Sequence, residues 1–280
     1  MAIHTVLSED RLRLHVQRWP AAPREGGPLG TVQIVHGLGE HMGRYAHVAA
    51  ALCAQGWHVV GHDQRGHGRS EGPRGVIPHP QALLADLSWV MDNVRVPGRH
   101  VLLGHSMGGL VAARFVAEGL MPKPARFQRE VDGLVLSSPA LDAGLKPAQR
   151  LLLALLAPLA PRVAVGNGLD PAWVSRDPRV VAAYRADPLV HDRVSAGLVR
   201  FIVDGGQTVR QLAPRWRVPT LLMWAGADRC VAPSGSRAFA AAAPSSMVKS
   251  REWIDCAHEI FNEPERAEVL EQLTRWLARF

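Results

Sequence analysis

Gly104-His105-Ser106-Met107-Gly108 sets one serine between two glycines, and Gly109 follows at once. Such a serine carries chemistry when a strand runs into it and a helix runs out. The sharp turn strains the serine backbone and leaves its neighbours no room for side chains, so the hydroxyl stands exposed above the strand's carboxyl end. A glycine-rich helix entry can instead cradle phosphate. Here no Gly-Lys-Ser/Thr follows and the pattern G-x-G-x-x-G is absent, which leaves attack on a carbonyl carbon as the chemistry of choice.

A hydroxyl is a poor nucleophile at neutral pH. It needs a histidine to take its proton and a carboxylate to fix and charge-compensate that histidine. On this kind of elbow the chain order is serine, acid, histidine. Asp228 follows the apolar run Leu221 to Trp224 through Ala-Gly-Ala, at a strand's carboxyl end, where sites on open α/β sheets lie. His258 follows the next run in the same way, and of thirteen histidines it alone comes after Asp228. Two other acids compete. Asp142 follows the run Val131 to Ser137, whereas Asp255 lies three residues before His258, too near in sequence to hold the ring from the far side. His258-Glu259 also begins the zinc motif H-E-x-x-H, but Asn262 stands where its second histidine belongs.

An oxyanion needs preorganised donors, usually two backbone N–H groups. Met107, after the nucleophile, supplies one. Leu38 supplies the other from His36-Gly37-Leu38-Gly39-Glu40-His41, where two glycines allow a sharp bend and His36, Glu40 and His41 brace the loop. The turn Gly61-His62-Asp63-Gln64-Arg65-Gly66-His67-Gly68-Arg69-Ser70 is rich in histidine, yet it offers no ligand triad at a recognised spacing. A structural turn with Asp63 bonding backbone is expected instead. Cys256, two residues before His258, reads as a buried, inert thiol. No metal and no cofactor is required.

The elements that must hold these residues are legible in outline. Strands are expected at 11 to 19, Thr31 to Val35, Trp57 to Gly61, His100 to Gly104, Val131 to Ser137, Thr220 to Trp224 and Lys249 to Ile254. Helices are expected at Arg44 to Gln55, Pro80 to Val96 and Met107 to Glu118, with a terminal helix capped by Asn262 and boxed by Glu265. This alternation means a mostly parallel, doubly wound sheet. From Leu141 to Pro214 the pattern breaks into prolines, arginines and apolar clusters, an inserted helical segment between core residues 1–140 and 215–280. Its run Leu151 to Ala157 is too short to span a bilayer, so it lines a tunnel, rests on lipid or simply packs the segment on the sheet.

Composition narrows the class. Apolar residues at 47% and charged residues at 20% exclude disorder and coiled coil. Three scattered cysteines give neither a disulfide framework nor a C-x-x-C site and fit a cytoplasmic protein. Glu9 and Asp10 interrupt any signal-like start, and no run of 18 apolar residues occurs. The net charge of +7 invites a nucleic-acid reading, but the arginines are spread from Arg11 to Arg279 without a dense cluster.

Val35 to Tyr45, Asp63 to Gly72, Gly104 to Gly109, Ser137-Ser138-Pro139-Ala140 and Gly226-Ala227-Asp228 together resemble the monoacylglycerol lipase and lysophospholipase group of α/β-hydrolases. Ser175-Arg176-Asp177-Pro178 and Asp187 to His191 are similar to that group's cap. The resemblance implies an eight-stranded sheet with a helical cap between strands six and seven, Ser106, Asp228 and His258 as triad, and Leu38 and Met107 as oxyanion donors. It implies hydrolysis of monoacylglycerol or a similar single-chain lipid ester; contact of the cap with a membrane surface is the expectation that the Leu151 to Ala157 run adds. A lysophospholipase, a short-chain or hydroxyalkanoate-oligomer esterase, an aminopeptidase, and a binder that has lost turnover are the competing expectations.

Overall fold

The computed structural model describes residues 1–280. The chain forms, in order, β1 (Ala2–Leu7), β2 (Arg13–Trp19), β3 (Gly30–Val35), α1 (Ala46–Ala54), β4 (Trp57–His62), α2 (Ala82–Val94), β5 (Arg99–His105), α3 (Met107–Glu118) and β6 (Gly133–Ser137). Then come α4 (Pro147–Leu159), β7 (Ala164–Gly166), α5 (Pro178–Ala186), β8 (Arg193–Ser195) and α6 (Ala196–Leu212). The last four elements are β9 (Thr220–Ala225), α7 (Pro233–Ala242), β10 (Val248–Trp253) and α8 (Arg266–Leu277).

Eight strands make one sheet in the order β1-β2-β4-β3-β5-β6-β9-β10. β1 and β2 pair antiparallel, β2 joins β4 antiparallel, and every later pairing is parallel. Central strands are covered on both faces, which is why β5 reads Val101-Leu102-Leu103 without alternation. Leu102 joins the core layer shared with α2, α3, α6 and α7, while Val101 and Leu103 join the layer under α1 and α8. The expected eight-stranded, mostly parallel architecture is what the chain adopts.

Residues 141–214 hold α4, the small antiparallel pair β7 and β8, α5 and α6. α6 differs from its neighbours in that segment. Its Leu198, Phe201, Ile202 and Val209 enter the same apolar layer as α3. By contrast, α4 buries Ala157 alone among its thirteen residues.

One expected boundary is corrected. Asn262 does not cap the terminal helix: it ends a 3-10 turn, Ile260–Asn262, and its Nδ2 donates to Glu259 Oε2 at 2.8 Å. α8 starts at Arg266, with Glu265 as an N-cap that makes no side-chain cap bond. The cause is long-range. Glu263 is fully buried and holds extended backbone because its carboxylate is committed to Ser175, Arg176 and Ala257.

Candidate active site

β5 delivers Ser106 to the sheet's carboxyl edge, and α3 begins on the next residue. Ser106 has φ 55° and ψ −122°, a region that L-residues rarely occupy and that costs on the order of 1–3 kcal/mol. The glycines make this crossing possible. A Cβ on Gly104 would sit 2.4 Å from the Gly108 carbonyl oxygen, and one on Gly108 would sit 2.1 Å from that of Val35.

His258 brings its Nε2 to 2.8 Å from Ser106 Oγ and its Nδ1 to 2.6 Å from Asp228 Oδ2. With Asp228 accepting from Nδ1–H, Nε2 is free to accept the serine proton. The Asp228 side chain is 1% exposed, and its other oxygen accepts the N–H groups of Cys230 and Val231 at 2.8 and 3.1 Å. Neither rival acid comes to the ring. Asp142 accepts from Gly144 N–H in a distant turn, and Asp255 lies exposed after β10. Burial alone pulls the His258 pKa down. Asp228, reinforced by Glu259 and Glu40, outweighs it and leaves the imidazole above its ordinary value of 6.5. The ring of His105 lies 4.7 Å from that of His258; burial and the neighbouring imidazolium push it to about 4, so it stays neutral.

The loop after β3 passes close to the serine: a Cβ on Gly37 would lie 3.1 Å from Ser106 Cβ. Leu38 lines the cavity there, and its N–H has no acceptor within the protein. Met107 opens α3, where first-turn N–H groups have no intrahelical acceptor. Glu40 shapes the loop by accepting from Gly37 N–H at 2.6 Å and Tyr45 O–H at 2.7 Å. His41 reaches across to Asp187 Oδ2 at 2.8 Å, and His191 N–H donates to the Gly39 carbonyl at 2.9 Å. Asp63 bonds backbone as expected, accepting from Met42 and Arg69.

A cavity of about 330 Å³ opens above Ser106. Its walls mix Leu38, Val174 and Val190 with Tyr184, Arg185, Asp187 and His191 from the inserted segment. No leucine of α4 lines it. Leu151, Leu152, Leu155, Leu156 and Leu159 are instead 42–81% exposed, with Val163 and Val165 beside them in sequence also exposed. The tunnel-lining alternative for that run is therefore overturned: α4 packs on α6 and turns five of its six leucines outward.

The inserted segment also grips the loop that carries His258. Glu259 N–H donates to the Val174 carbonyl at 2.8 Å. The Glu263 carboxylate accepts from Ala257 N–H, Ser175 O–H, Arg176 N–H and Arg176 Nε at 2.6–2.8 Å. Sequence reading passed over these contacts, as it did Arg44, Tyr184 and Cys230. Cys256 is buried behind this loop, its thiol pushed up to about 12 by burial and by Glu265. Two groups could offer clustered ligand atoms to a metal, Asp228-Cys230-His258 and Cys256-Glu263-Glu265. The first is committed to Ser106, and Arg176 already neutralises the second.

The family profile described as serine aminopeptidase, S33, matches residues 26–265. Monoacylglycerol lipase of Mycolicibacterium smegmatis is 37% identical over 258 residues, 89% of this chain and 88% of that protein. An uncharacterized abhydrolase domain-containing protein of Dictyostelium discoideum is 31% identical over 99% of this chain, which spans only 29% of its length. The crystal structure of Paleococcus ferrophilus monoacylglycerol lipase superposes with a TM-score of 0.82 at 32% identity, covering 94% of this chain and 98% of that one.

Proposed function

The chain belongs to the serine aminopeptidase S33 family of α/β-hydrolases, and from that premise we propose that it hydrolyses monoacylglycerol or a similar single-chain ester through an acyl-enzyme. Ser106 is the nucleophile, His258 the base, and Asp228 the acid that orients the base. Leu38 and Met107 give the oxyanion donors. The observation that carries this reading is the hydrogen-bonded series Asp228, His258, Ser106 at the floor of the cavity.

Ser106 Oγ adds to the ester carbonyl carbon as its proton passes to His258 Nε2. The carbonyl oxygen takes the negative charge beside the N–H groups of Leu38 and Met107. Collapse of this intermediate expels the alcohol, which leaves with the proton held by His258. A water then repeats the sequence on the acyl-enzyme: its proton goes to His258, its oxygen to the acyl carbon, and Ser106 departs reprotonated with release of the carboxylic acid. Asp228, buried and unable to move far, stabilises the imidazolium in both halves.

Residues 141–214 serve as a cap on a core made of 1–140 and 215–280, and the cap selects esters with one long acyl chain. Its exposed face on α4 rests on a lipid surface. Seven large apolar side chains at Leu151, Leu152, Leu155, Leu156, Leu159, Val163 and Val165 are more than an isolated surface residue would present. No helix is long and apolar enough to cross a membrane. Three free cysteines fit a cytoplasmic enzyme that meets membranes from the side.

The test is a hydrolysis profile across monoacylglycerols, lysophospholipids, triolein and soluble esters of graded length. kcat/KM should rise with acyl length, by about 0.8 kcal/mol per buried CH₂, until the pocket is full, and triolein should be refused. A flat profile points to a general esterase, efficient triolein cleavage to a true lipase, and faster turnover of lysophospholipid to a lysophospholipase. Binding without any turnover would leave a non-catalytic receptor.

A further inference from the structure

Arg44 belongs to the 3-10 turn Met42–Tyr45, and its side chain is 11% exposed between two carboxylates from opposite sides of the site. Its Nη1 lies 2.7 Å from Glu40 Oε2 and 2.5 Å from Glu259 Oε1, and its Nη2 lies 2.7 Å from Glu259 Oε2. Glu40 is the carboxylate that shapes the Leu38 loop, and Glu259 directly follows His258. The guanidinium also sits 4.7 Å from the ring centroid of Tyr184 in α5. One cation thus touches the oxyanion loop, the histidine loop and the inserted segment.

We propose that Arg44 is a positioning residue for ester hydrolysis: it fixes the spacing between the Leu38 loop and the His258 loop, and it tempers the pull of Glu40 and Glu259 on the His258 ring. The inference rests on the roles given above to Ser106, His258 and Asp228. The groups facing His258 are Asp228 at 2.6 Å, Glu259 next to it in sequence, Glu40 from the β3 loop, the neutral ring of His105 and the thiol of Cys230. Three of these are carboxylates, and Glu40 and Glu259 are 4% and 6% exposed. Arg44 neutralises those two where water cannot. Burial would raise the Glu40 carboxyl, but Arg44 and the neighbouring donors hold it at about 2, so the charge is present and must be balanced. A forked guanidinium serves three carboxylate oxygens at once, which a single ammonium cannot match in geometry.

The experiment is the pH profile of kcat and KM for a soluble short-chain ester, with fluorophosphonate labelling of the serine, on the parent and on Arg44→Met, Arg44→Lys and Glu259→Gln. Arg44→Met should lower kcat about 10- to 100-fold with a smaller change in KM, as misplaced reacting groups do. It should also move the acidic limb upward by about one pH unit, because unbalanced carboxylates favour the imidazolium. Glu259→Gln should move the limb downward, since it removes one carboxylate and leaves the cation. Arg44→Lys should keep the limb near the parent position while kcat falls, because charge is restored without the fork. Opposite shifts from the two ends of one bridge are not expected of a merely structural contact. Should Arg44→Met fail to fold, the downward shift in Glu259→Gln and the unmoved limb in Arg44→Lys decide the matter. A limb that stays in place in Glu259→Gln, or kcat within twofold of the parent in Arg44→Met, overturns the proposal. Ser106→Ala run alongside separates the two layers: if it still turns over and labels, the underlying site is wrong, and if it is inert while the limbs do not move, only the role of Arg44 falls.

Discussion

The Ser106 elbow and helix α4 obey opposite rules. At the elbow, polar atoms find partners within 3 Å and two glycines mark where a single methyl group would collide with backbone. On α4, apolar side chains face outward and almost nothing touches them. The first region is built to hold atoms still, which is what charge development in a transition state rewards. The second leaves an apolar surface exposed, which the proposed contact with lipid would cover. On the proposed function, chemistry and presentation of substrate are separable in this molecule, and changes in one region should leave the other's readout alone.

The sharpest break comes from the nucleophile. Ser106→Ala should lower kcat by roughly 10⁶, as loss of the serine does in related chemistry, equally for acetate and long-chain esters and with the fold retained. Parent-like hydrolysis by this variant would remove Ser106 from the site. Next, Asp228→Asn should cost about 10⁴ in kcat by analogy with the same change in serine proteases, while Asp142→Asn and Asp255→Asn stay near the parent. Finding Asp142→Asn crippled instead would transfer the acid to the end of β6.

The pH profile sharpens the same side of the comparison. Catalysis needs neutral His258, and the protonated form is favoured in the folded protein, so activity should be lost as pH falls through a value above 6.5. A half-maximum well below 6.5 in kcat/KM would mean that burial, not Asp228, sets the histidine. EDTA should leave the rate unchanged; a loss restored by zinc would revive a metal role for the histidines near His62 and His67. The smallest effect belongs to α4. Leu152→Ser with Leu155→Ser should weaken binding to lipid vesicles and slow long-chain esters severalfold, yet shift stability by no more than about 0.5 kcal/mol, because both side chains are over half exposed. Leu102→Ala, at a fully buried position of β5, should cost roughly 2–5 kcal/mol. If acetate hydrolysis fell with the α4 leucines, the two regions would not be separable.

Much of the elbow was legible because its signals are local. An unbroken apolar strand, glycines at the crossing and helical spacing after Met107 all lie within about twenty residues, and the group resemblance drawn from the motifs is borne out by the relatives. The strand ends that carry Asp228 and His258 were equally readable. β1 was missed because it is an edge strand exposed on both faces, with no burial to impose alternation. α7 was missed because the side it buries carries Gly235, Ser236 and Phe239, of which only Phe239 is a large apolar residue. The false cap at Asn262 and the silence over Arg44 share one cause: their partners lie far along the chain. Arg44 meets Glu259 across 215 residues and Glu263 meets Ser175 across 88, distances over which spacing carries no information.

The Glu263 contacts also bear on how such enzymes can be recombined. The segment 141–214 is an attractive unit to exchange with a relative, since it supplies most of the walls of the cavity. In this chain the carbonyl of Val174 and the side chain of Ser175 are part of what holds the backbone on either side of His258. A graft that replaces 141–214 wholesale would import foreign partners for Glu259 and Glu263, and through Glu263 for the backbone at Ala257, and would disturb the histidine even with every triad residue intact. A graft whose junctions lie before Trp173, leaving 173–176 with their native loop, should transplant the outer face and keep the rate on small esters. The crossover point, rather than the sequence identity of the donor, would decide whether the hybrid works.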